Sequence, residues 1–373
     1  MLKNFWYACE HSQAVTQHPK QIVMLNQRFA LYRDSQGQVV ALKDQCSHRG
    51  AALSIGLLED DCLRCPYHGW KFAPDGKCVD IPANAEGTPV PKRAHIDAYS
   101  VQEKYGFVWI FYGDLPEAER PPIPPLPEFE DPTLHKSYLD FQVNTHYTRV
   151  LENSIDVSHL PIVHANSFGS GFKDNPKVED YTVEELDWGI TATSTYQNYT
   201  RPKGLFSSLA HKKKQTNLHS RFTFYLPNIT KVESGSDSVR LVNYAIHFPV
   251  DDNTTISKRI LFRSFARFRW LDGIFMKYYN KIYAEDSRVS ESQYPPSVPV
   301  DLAEEVHIAS DALQIAYRKL RQKYLAMGWG IDTKPASASH TNGHVVTESH
   351  AATNGHSGTN GHSQTAASTV LIS

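Results

Sequence analysis

Five cysteines among 373 residues are too few for a disulfide framework, so a reducing compartment is expected. No apolar run approaches the ~18 residues that a membrane-spanning helix needs. Neither sign of charge dominates, since 38 Lys+Arg against 40 Asp+Glu leave −2. That balance excludes the basic footprint of a nucleic-acid binder. The opening Met1-Leu2-Lys3-Asn4-Phe5-Trp6-Tyr7 has no apolar signal core, and a cytoplasmic location is the expectation. Also missing is any G-x-G-x-x-G opening a helix, so no flavin or nicotinamide site is expected within the chain. What is present, with 40% hydrophobic and 21% charged residues, suits one large or two medium globular domains.

Residues 1–114 read as β-rich. Ile22–Leu25 and Phe29–Tyr32 flank a polar Asn26-Gln27-Arg28 break, a turn at Ser35-Gln36-Gly37 leads into Val39–Leu42, and Phe107–Tyr112 is a later apolar strand. Between Leu115 and Pro132 there are seven prolines, which fix φ and remove backbone donors. Residues 115–132 are therefore expected to be a connector or extended arm. Residues 133–330 mix strands, such as Arg221–Leu226 and Val242–Phe248, with a late helix from Asp311 to Met327 that Gly328 caps. Residues 335–373 are rich in Ser, Thr, Ala, Asn, Gly and His, repeat Thr-Asn-Gly-His from 341, 353 and 359, and read as a disordered tail.

Two short segments carry the first chemistry. Cys46-Ser47-His48-Arg49-Gly50 is followed, with sixteen residues between His48 and Cys65, by Cys65-Pro66-Tyr67-His68-Gly69-Trp70. Two thiolates and two imidazoles on paired loops suit a metal centre, and zinc is one reading. The C-x-H spacing is unlike a zinc finger, whereas two Cys on one iron and two His on the other make a Rieske [2Fe–2S] centre. Cys9, Cys62 and Cys78 read as ordinary small residues.

The strings C-S-H-R-G and C-P-Y-H-G-W resemble the Rieske family. Ala51 stands where respiratory-complex members carry an extra cysteine, so the resemblance is to the oxygenase branch.

The second constellation is Glu152-Asn153-Ser154-Ile155-Asp156-Val157-Ser158-His159-Leu160-Pro161-Ile162-Val163-His164. On a helix Asn153, Asp156 and His159 share one face, and Pro161 is expected to bend or end that helix so that His164 converges with His159. Two buried, hydrogen-bonded core histidines are the plain alternative. Two His and one carboxylate form the facial triad of non-haem Fe(II) oxygenases, with positions left open for dioxygen and substrate. The segment resembles the E-N-x-x-D-x-x-H-x₄-H motif of Rieske non-haem iron oxygenases. By that resemblance His159 and His164 hold iron, Asp156 is the bridging aspartate and Asn153 a polar residue beside the metal. The third ligand is expected in Glu285-Asp286-Ser287-Arg288-Val289-Ser290-Glu291-Ser292-Gln293, which resembles the family's E-D-x-x-x-x-E-x-Q element. Asp286 is the choice, with Glu285 and Glu291 behind it, and an exposed acidic helix start is the bland reading.

The resemblance covers about residues 5 to 327 and looks most like the group with vanillate and dicamba O-demethylases and the saxitoxin-pathway hydroxylases. It implies an α+β fold. An N-terminal all-β Rieske domain (1–114) would precede a helix-grip-like catalytic domain (133–330), an antiparallel sheet flanked by helices. It implies a [2Fe–2S] cluster on Cys46, His48, Cys65 and His68, and a mononuclear Fe(II). It further implies a separate NAD(P)H-dependent reductase or ferredoxin, and a head-to-tail homotrimer in which His68 of one chain meets Asp156 of the next. The activity expected is mono- or dioxygenase chemistry, hydroxylating or O-demethylating a small organic substrate. The alternatives are a Rieske electron carrier without oxygenase chemistry and a zinc-stabilised binding module.

Three further features carry less. The basic and aromatic residues from Arg263 to Tyr283 read as core with a charged rim rather than a membrane face. Lys212-Lys213-Lys214 reads as a solvated loop before a ferredoxin-docking patch, and the tail histidines, His340 to His362, are given no catalysis. Phe and Tyr between 190 and 283 permit an apolar or aromatic ligand.

Overall fold

A computed structural model describes residues 1–172, 179–199, 216–236 and 239–331. The Lys212–Lys214 run and the 335–373 tail lie outside the described residues. Short apolar runs such as those of Phe5–His11 and Phe107–Tyr112, broken by tight turns, make the N-terminal third three small antiparallel sheets. The first orders β1 (Phe5–His11), β11 (Phe107–Tyr112) and β10 (Val101–Lys104). The second orders β2 (Lys20–Met24), β3 (Gln27–Arg33), β4 (Val39–Lys43) and β9 (Ala98–Tyr99). The third orders β5 (Leu57–Glu59), β6 (Cys62–Arg64), β7 (Lys71–Phe72) and β8 (Cys78–Asp80). The β2–β3 reversal is made by Leu25 and Asn26, both at positive φ (56° and 61°), the geometry that matches the twist of a two-residue hairpin.

The proline-rich connector is seated rather than loose. Ile123 and Leu126 are buried against β1 and β11, and the Tyr105 hydroxyl donates to Pro124 O (3.1 Å) while accepting from Leu126 N (3.0 Å). Side chains thus replace the backbone bonds that proline forbids.

The remainder is one seven-stranded antiparallel sheet, with β12 (His135–Val143), β13 (Glu179–Leu186), β14 (Gly189–Tyr199), β15 (Thr216–Tyr225), β16 (Ile229–Ser236), β17 (Val239–Pro249) and β18 (Thr255–Arg263). Its order is β12-β18-β17-β16-β15-β14-β13. Between β12 and β13 the chain leaves one edge, forms α1 (Tyr147–Ile155) and α2 (Leu160–Val163), and re-enters at the other. Helices α3 (Asp272–Ser290) and α4 (Ala312–Tyr324) follow the sheet. The two faces of the sheet do different work because strand side chains alternate. On one face Val242, Tyr244, Ile246, Ile260 and Phe262 pack against Trp6, Trp109 and Phe111. On the other face α1 lies across β15, β16 and β17. The regions drawn at 114 and 133 share these apolar clusters, and Met1–Pro335 pack as one compact unit. The antiparallel sheet with its helices gives the α+β architecture expected from the sequence. No helix among the described residues is long and apolar enough to cross a membrane.

A buried ion-pair cluster ties α1 to α4. Arg318 makes a two-pronged contact with Glu152 (Nε–Oε1 2.6 Å, Nη2–Oε2 2.8 Å) and reaches Glu305, which also holds Arg149 at 2.8 Å. Glu152, the first residue of the sequence motif, is thereby a helix clamp. The late helix ends close to expectation, with Gly328 in the left-handed region at φ 76°. The stretch from Arg263 to Tyr283 divides. Phe275, Ile282 and Tyr283 are buried, as a core reading requires, whereas Phe268 and Trp270 stack on each other in solvent.

Candidate functional site

Cys46 and Cys65 begin two loops of nearly identical design. In the first, Gly50 N donates to Cys46 O (2.9 Å) and Cys46 N to Ala51 O (2.9 Å); in the second, Gly69 N donates to Cys65 O (3.1 Å) and Cys65 N to Trp70 O (2.8 Å). Each loop closes through a glycine in the left-handed region, Gly50 at φ 73° and Gly69 at φ 74°. Both cysteines are buried and unbridged, while His48 and His68 are exposed with ring centroids 4.7 Å apart. Trp70 stacks parallel to His48 at 4.6 Å. Burial, with the neighbouring Cys65 sulfur, pushes the Cys46 thiol up to about 11 against the pull of the His48 and Arg49 amides. Two paired thiols below and two imidazoles above fit a [2Fe–2S] cluster with Cys on one iron and His on the other. Cys62 and Cys78 are likewise unbridged, the Cys78 thiol donating to Asp80 O (3.4 Å) and the Cys9 thiol to Val108 O (3.4 Å).

The second site departs from the helix expected of its motif. Helix α1 ends at Ile155, and Asp156 is extended (φ −78°, ψ 134°), so Asn153, Asp156 and His159 do not share a helical face. The reason is local: Asp156 Oδ1 accepts the Ser158 amide at 2.6 Å, a side-chain turn that competes with the next helical bond. Pro161 does not bend or end a helix either. It sits in the first turn of α2, where an amide has no intrahelical partner to lose, and His159 and His164 flank that short helix.

The outcome is convergence. His164 Nε2 stands 3.1 Å and His159 Nε2 3.5 Å from Asp286 Oδ1, and one ligand atom from each residue lies within 4.8 Å of the others. Asp286 comes from α3, more than a hundred residues downstream. Adjacent to it, Glu285 Oε2 bonds His164 Nδ1 at 2.9 Å and accepts from Ser167 Oγ at 2.7 Å. Asp156 Oδ2 stands 3.7 Å from His159 Nδ1. Each imidazole therefore has a carboxylate behind it and its Nε2 turned to Asp286, the usual way to fix a metal-binding tautomer. Glu291 is elsewhere, accepting from Asn144 N (2.7 Å) and Ser287 Oγ (2.8 Å).

Charge in this cluster calls for a cation. Burial opposes protonation of His159, yet Asp156 and Asp286 outweigh it and raise its pKa to about 9. Burial likewise opposes ionisation of Asp286, and the two imidazoles overcome it and lower its pKa to about 2. His159 Nδ1 and Asp286 Oδ1 are both buried without a hydrogen-bond partner. Two imidazoles and one carboxylate, its Oδ1 without a hydrogen-bond partner, fit a mononuclear iron with open positions.

The cluster stands at the wall of a cavity of about 320 Å³ between the sheet and α3. Its lining is largely apolar, including Phe222, Leu241, Phe265 and Ile282, with Asn153 and Asp156 near the histidines. The sequence reading missed Arg259, Asn243 and Tyr283, which also line it. One signal existed: Ser257-Lys258-Arg259 interrupts the otherwise apolar stretch Ile256–Phe262.

Comparison with known proteins matches residues 5–100 to the Rieske [2Fe-2S] domain and residues 143–327 to the vanillate O-demethylase oxygenase C-terminal domain. The iron-sulfur subunit of the toluene-4-sulfonate monooxygenase system of Comamonas testosteroni is 37% identical over 172 residues, 45% of this chain. The match spans about half of that relative's length, 48%. The methylxanthine N1-demethylase of Pseudomonas putida is 27% identical over 330 residues, 85% of this chain and 88% of its own. Its solved structure with caffeine superposes with a TM-score of 0.73 at 25% identity, over 88% of this chain and 92% of that one. A dicamba monooxygenase structure shares the fold, with a TM-score of 0.75 at 21% identity over 88% of this chain and 99% of that one.

Proposed function

Because the chain belongs to the Rieske non-haem iron oxygenases, we propose that it is an oxygenase component, hydroxylating or O-demethylating a small organic substrate with O₂ and externally supplied electrons. One observation carries the reading: His159, His164 and Asp286 converge at the wall of an apolar cavity in a chain that also bears a Rieske domain. In this reading Cys46, His48, Cys65 and His68 hold the [2Fe–2S] cluster, and His159, His164 and Asp286 hold the iron. When bound, these groups supply one-electron transfer and dioxygen activation.

The chain's own residues do the rest. Glu285 orients His164 and Asp156 orients His159, so that both Nε2 atoms face the metal position. Asn153 offers an amide beside it, and Phe222, Leu241 and Ile282 keep water from the reacting carbon. Hydroxylation of a methyl carbon, followed by loss of formaldehyde, would give demethylation from the same oxidant. Relatives named for methylxanthines, toluene-4-sulfonate and vanillate support a small ring-bearing substrate. A cavity of this size beside the second metal position disfavours the pure electron carrier.

The exposure of His48 and His68 supports electron entry and exit at that surface, from a reductase or ferredoxin and toward a neighbouring chain. A head-to-tail homotrimer would set His68 of one chain against Asp156 of the next. In that assembly Asp156→Asn keeps both metal centres and slows electron transfer, and unaltered product formation refutes it. The decisive test of the whole reading is a single turnover. Chemically reduced protein is given ¹⁸O₂ and a metabolite extract, and mass spectrometry follows labelled product and formaldehyde. Reoxidation of the cluster without product favours the carrier reading.

A further inference from the structure

Helix α3 sets three tyrosines in the wall of the cavity beside the iron position, Tyr278, Tyr279 and Tyr283, which the oxygenase reading leaves without a task. Tyr283 lies three residues before Asp286 and Tyr279 four before Tyr283, spacings that make side chains neighbours on a helix. The Tyr279 and Tyr283 rings stack with centroids 6.1 Å apart and planes inclined by 20°, and Tyr278 meets Tyr279 at 6.2 Å. Exposure rises along this path. Tyr283 is 5% exposed, Tyr279 is half-buried and Tyr278 is 38% exposed. The three rings therefore run from within one helical turn of an iron-ligand position to solvent.

Their chemistry separates them from the phenylalanines of the same cavity. Phe168, Phe222 and Phe265 also wall it, but a phenol gives up an electron far more readily than a benzene ring, because its proton can leave with the electron. Burial raises the pKa of all three phenols, so each keeps that proton until it is oxidised. Rings with centroids about 6 Å apart are in direct contact, close enough for an electron to pass between them. The Arg259 guanidinium stands 3.9 Å over Tyr283, and its positive charge makes the first electron harder to remove. Only a strong oxidant draws on such a chain.

We propose that Tyr283, Tyr279 and Tyr278 form a relay that carries oxidising equivalents from the iron position to the surface, giving the protein a second activity, the reduction of hydrogen peroxide by small thiols. This rests on the oxygenase reading for the iron at His159, His164 and Asp286. Electrons that reach O₂ with no substrate to hydroxylate yield hydrogen peroxide, and the relay disposes of it within the site. In each of two steps Tyr283 gives one electron and one proton to peroxide at the iron position, and Tyr279 and then Tyr278 make good the loss. Two electrons and two protons turn one H₂O₂ into two H₂O. At the surface each Tyr278 phenoxyl radical takes a hydrogen atom from a thiol, and the two sulfur radicals couple to a disulfide.

The test treats full-length, metal-loaded protein with hydrogen peroxide and the spin trap 2-methyl-2-nitrosopropane. Peptide mass spectrometry locates the adduct, and electron paramagnetic resonance of frozen samples follows the radical. Native protein is expected to give a tyrosyl signal and an adduct on Tyr278, both lost in Asp286→Ala. Tyr279→Phe keeps the ring and is expected to lose most of the Tyr278 adduct while the radical is held at Tyr283. Tyr278→Phe is expected to leave the radical in the interior, where added glutathione quenches it more slowly, and it serves if the Tyr279 variant does not fold. Three results overturn the proposal: no tyrosyl radical in native protein, Tyr278 labelling unaltered in Tyr279→Phe, or labelling retained in Asp286→Ala. Labelled-oxygen turnover on the same preparation separates the two readings. Relay-dependent labelling without product removes the oxygenase assignment only, and product with labelling indifferent to Tyr279 removes the relay only.

Discussion

The Cys46/His48 and Cys65/His68 loops present their imidazoles at the surface on a backbone scaffold of glycine-closed turns. His159 and His164 instead lie beneath the surface at the two ends of α2 and Asp286 lies within α3, with Asp156 and Glu285 behind the two imidazoles. The contrast fits the roles proposed for the two centres. A group that exchanges electrons with other proteins gains from ligands at the surface, held by rigid main chain. A group that activates dioxygen beside a substrate gains from exclusion of water, and its ligands must then be steered by neighbouring side chains.

That contrast is broken most directly by removing one ligand from each centre. Asp286→Ala is expected to lose about one iron per chain and all product while keeping the visible absorption of the cluster. Cys65→Ser is expected to do the reverse, bleaching the cluster and keeping the single iron. Elemental analysis with absorption spectra checks both, and a variant that loses both signals would show that the centres are not independently built.

The next largest effect concerns what holds the helices. Arg318→Met leaves the Glu152 carboxylate buried without its partner, and breaking such a pair costs about 3–5 kcal/mol. Denaturant unfolding measures it, and a cost below about 1 kcal/mol would remove Glu152–Arg318 as the clamp. The cluster spectrum of the folded fraction should be unaltered.

Glu285→Gln is subtler. It replaces the carboxylate on His164 Nδ1 by an amide and is expected to weaken iron retention by about 10–100-fold. Competition with a chelator reads this, and unchanged retention would show that Glu285 does not tune the ligand.

The smallest effect lies at the seam between the two regions, where Asp140 of β12 meets His11 of β1 (3.0 Å) and Lys258 of β18 (3.0 Å). Burial tends to raise the Asp140 pKa, but His11 and Lys258 lower it below the usual carboxylate value. A depressed folded pKa contributes stability above about pH 4 that is lost as pH falls through the folded value. Asp140→Asn should therefore cost on the order of 0.5 kcal/mol, the pair being partly exposed and screened. The gap between wild type and variant should close below about pH 4. A gap that stays constant from pH 7 to pH 3 would assign the effect to packing.

Part of this was legible because most of the candidate ligands, though not Asp286, sit close together in the chain. C-x-H, C-x-x-H and D-x-x-H-x₄-H are each short enough for local geometry to decide what meets what. The strand-rich N-terminal region and the late helix followed from apolar runs between turns and from Gly328 for the same reason. The end of α1 was not legible, because a helical spacing of three also permits the Asx turn that Asp156 makes with Ser158. Nor was the division of labour between Glu285 and Asp286, which depends on how α3 is rotated against His164. Arg259 stayed hidden for a third reason. It lines the cavity from the middle of a strand, and which strand face meets the cavity is a property of the sheet's neighbours rather than of the strand.

Along β15, β16 and β17 most residues that meet the cavity, among them Leu218, Ser220, Phe222, Val232, Ser234, Leu241 and Asn243, occupy alternate positions, while on β17 those between them, such as Val242 and Tyr244, are packed against the N-terminal sheets. Evolution is thereby offered a panel of independent dials. Each can be turned to suit a new molecule without loosening the joint on the reverse side, so a lineage built on this plan can diversify its chemistry by single steps.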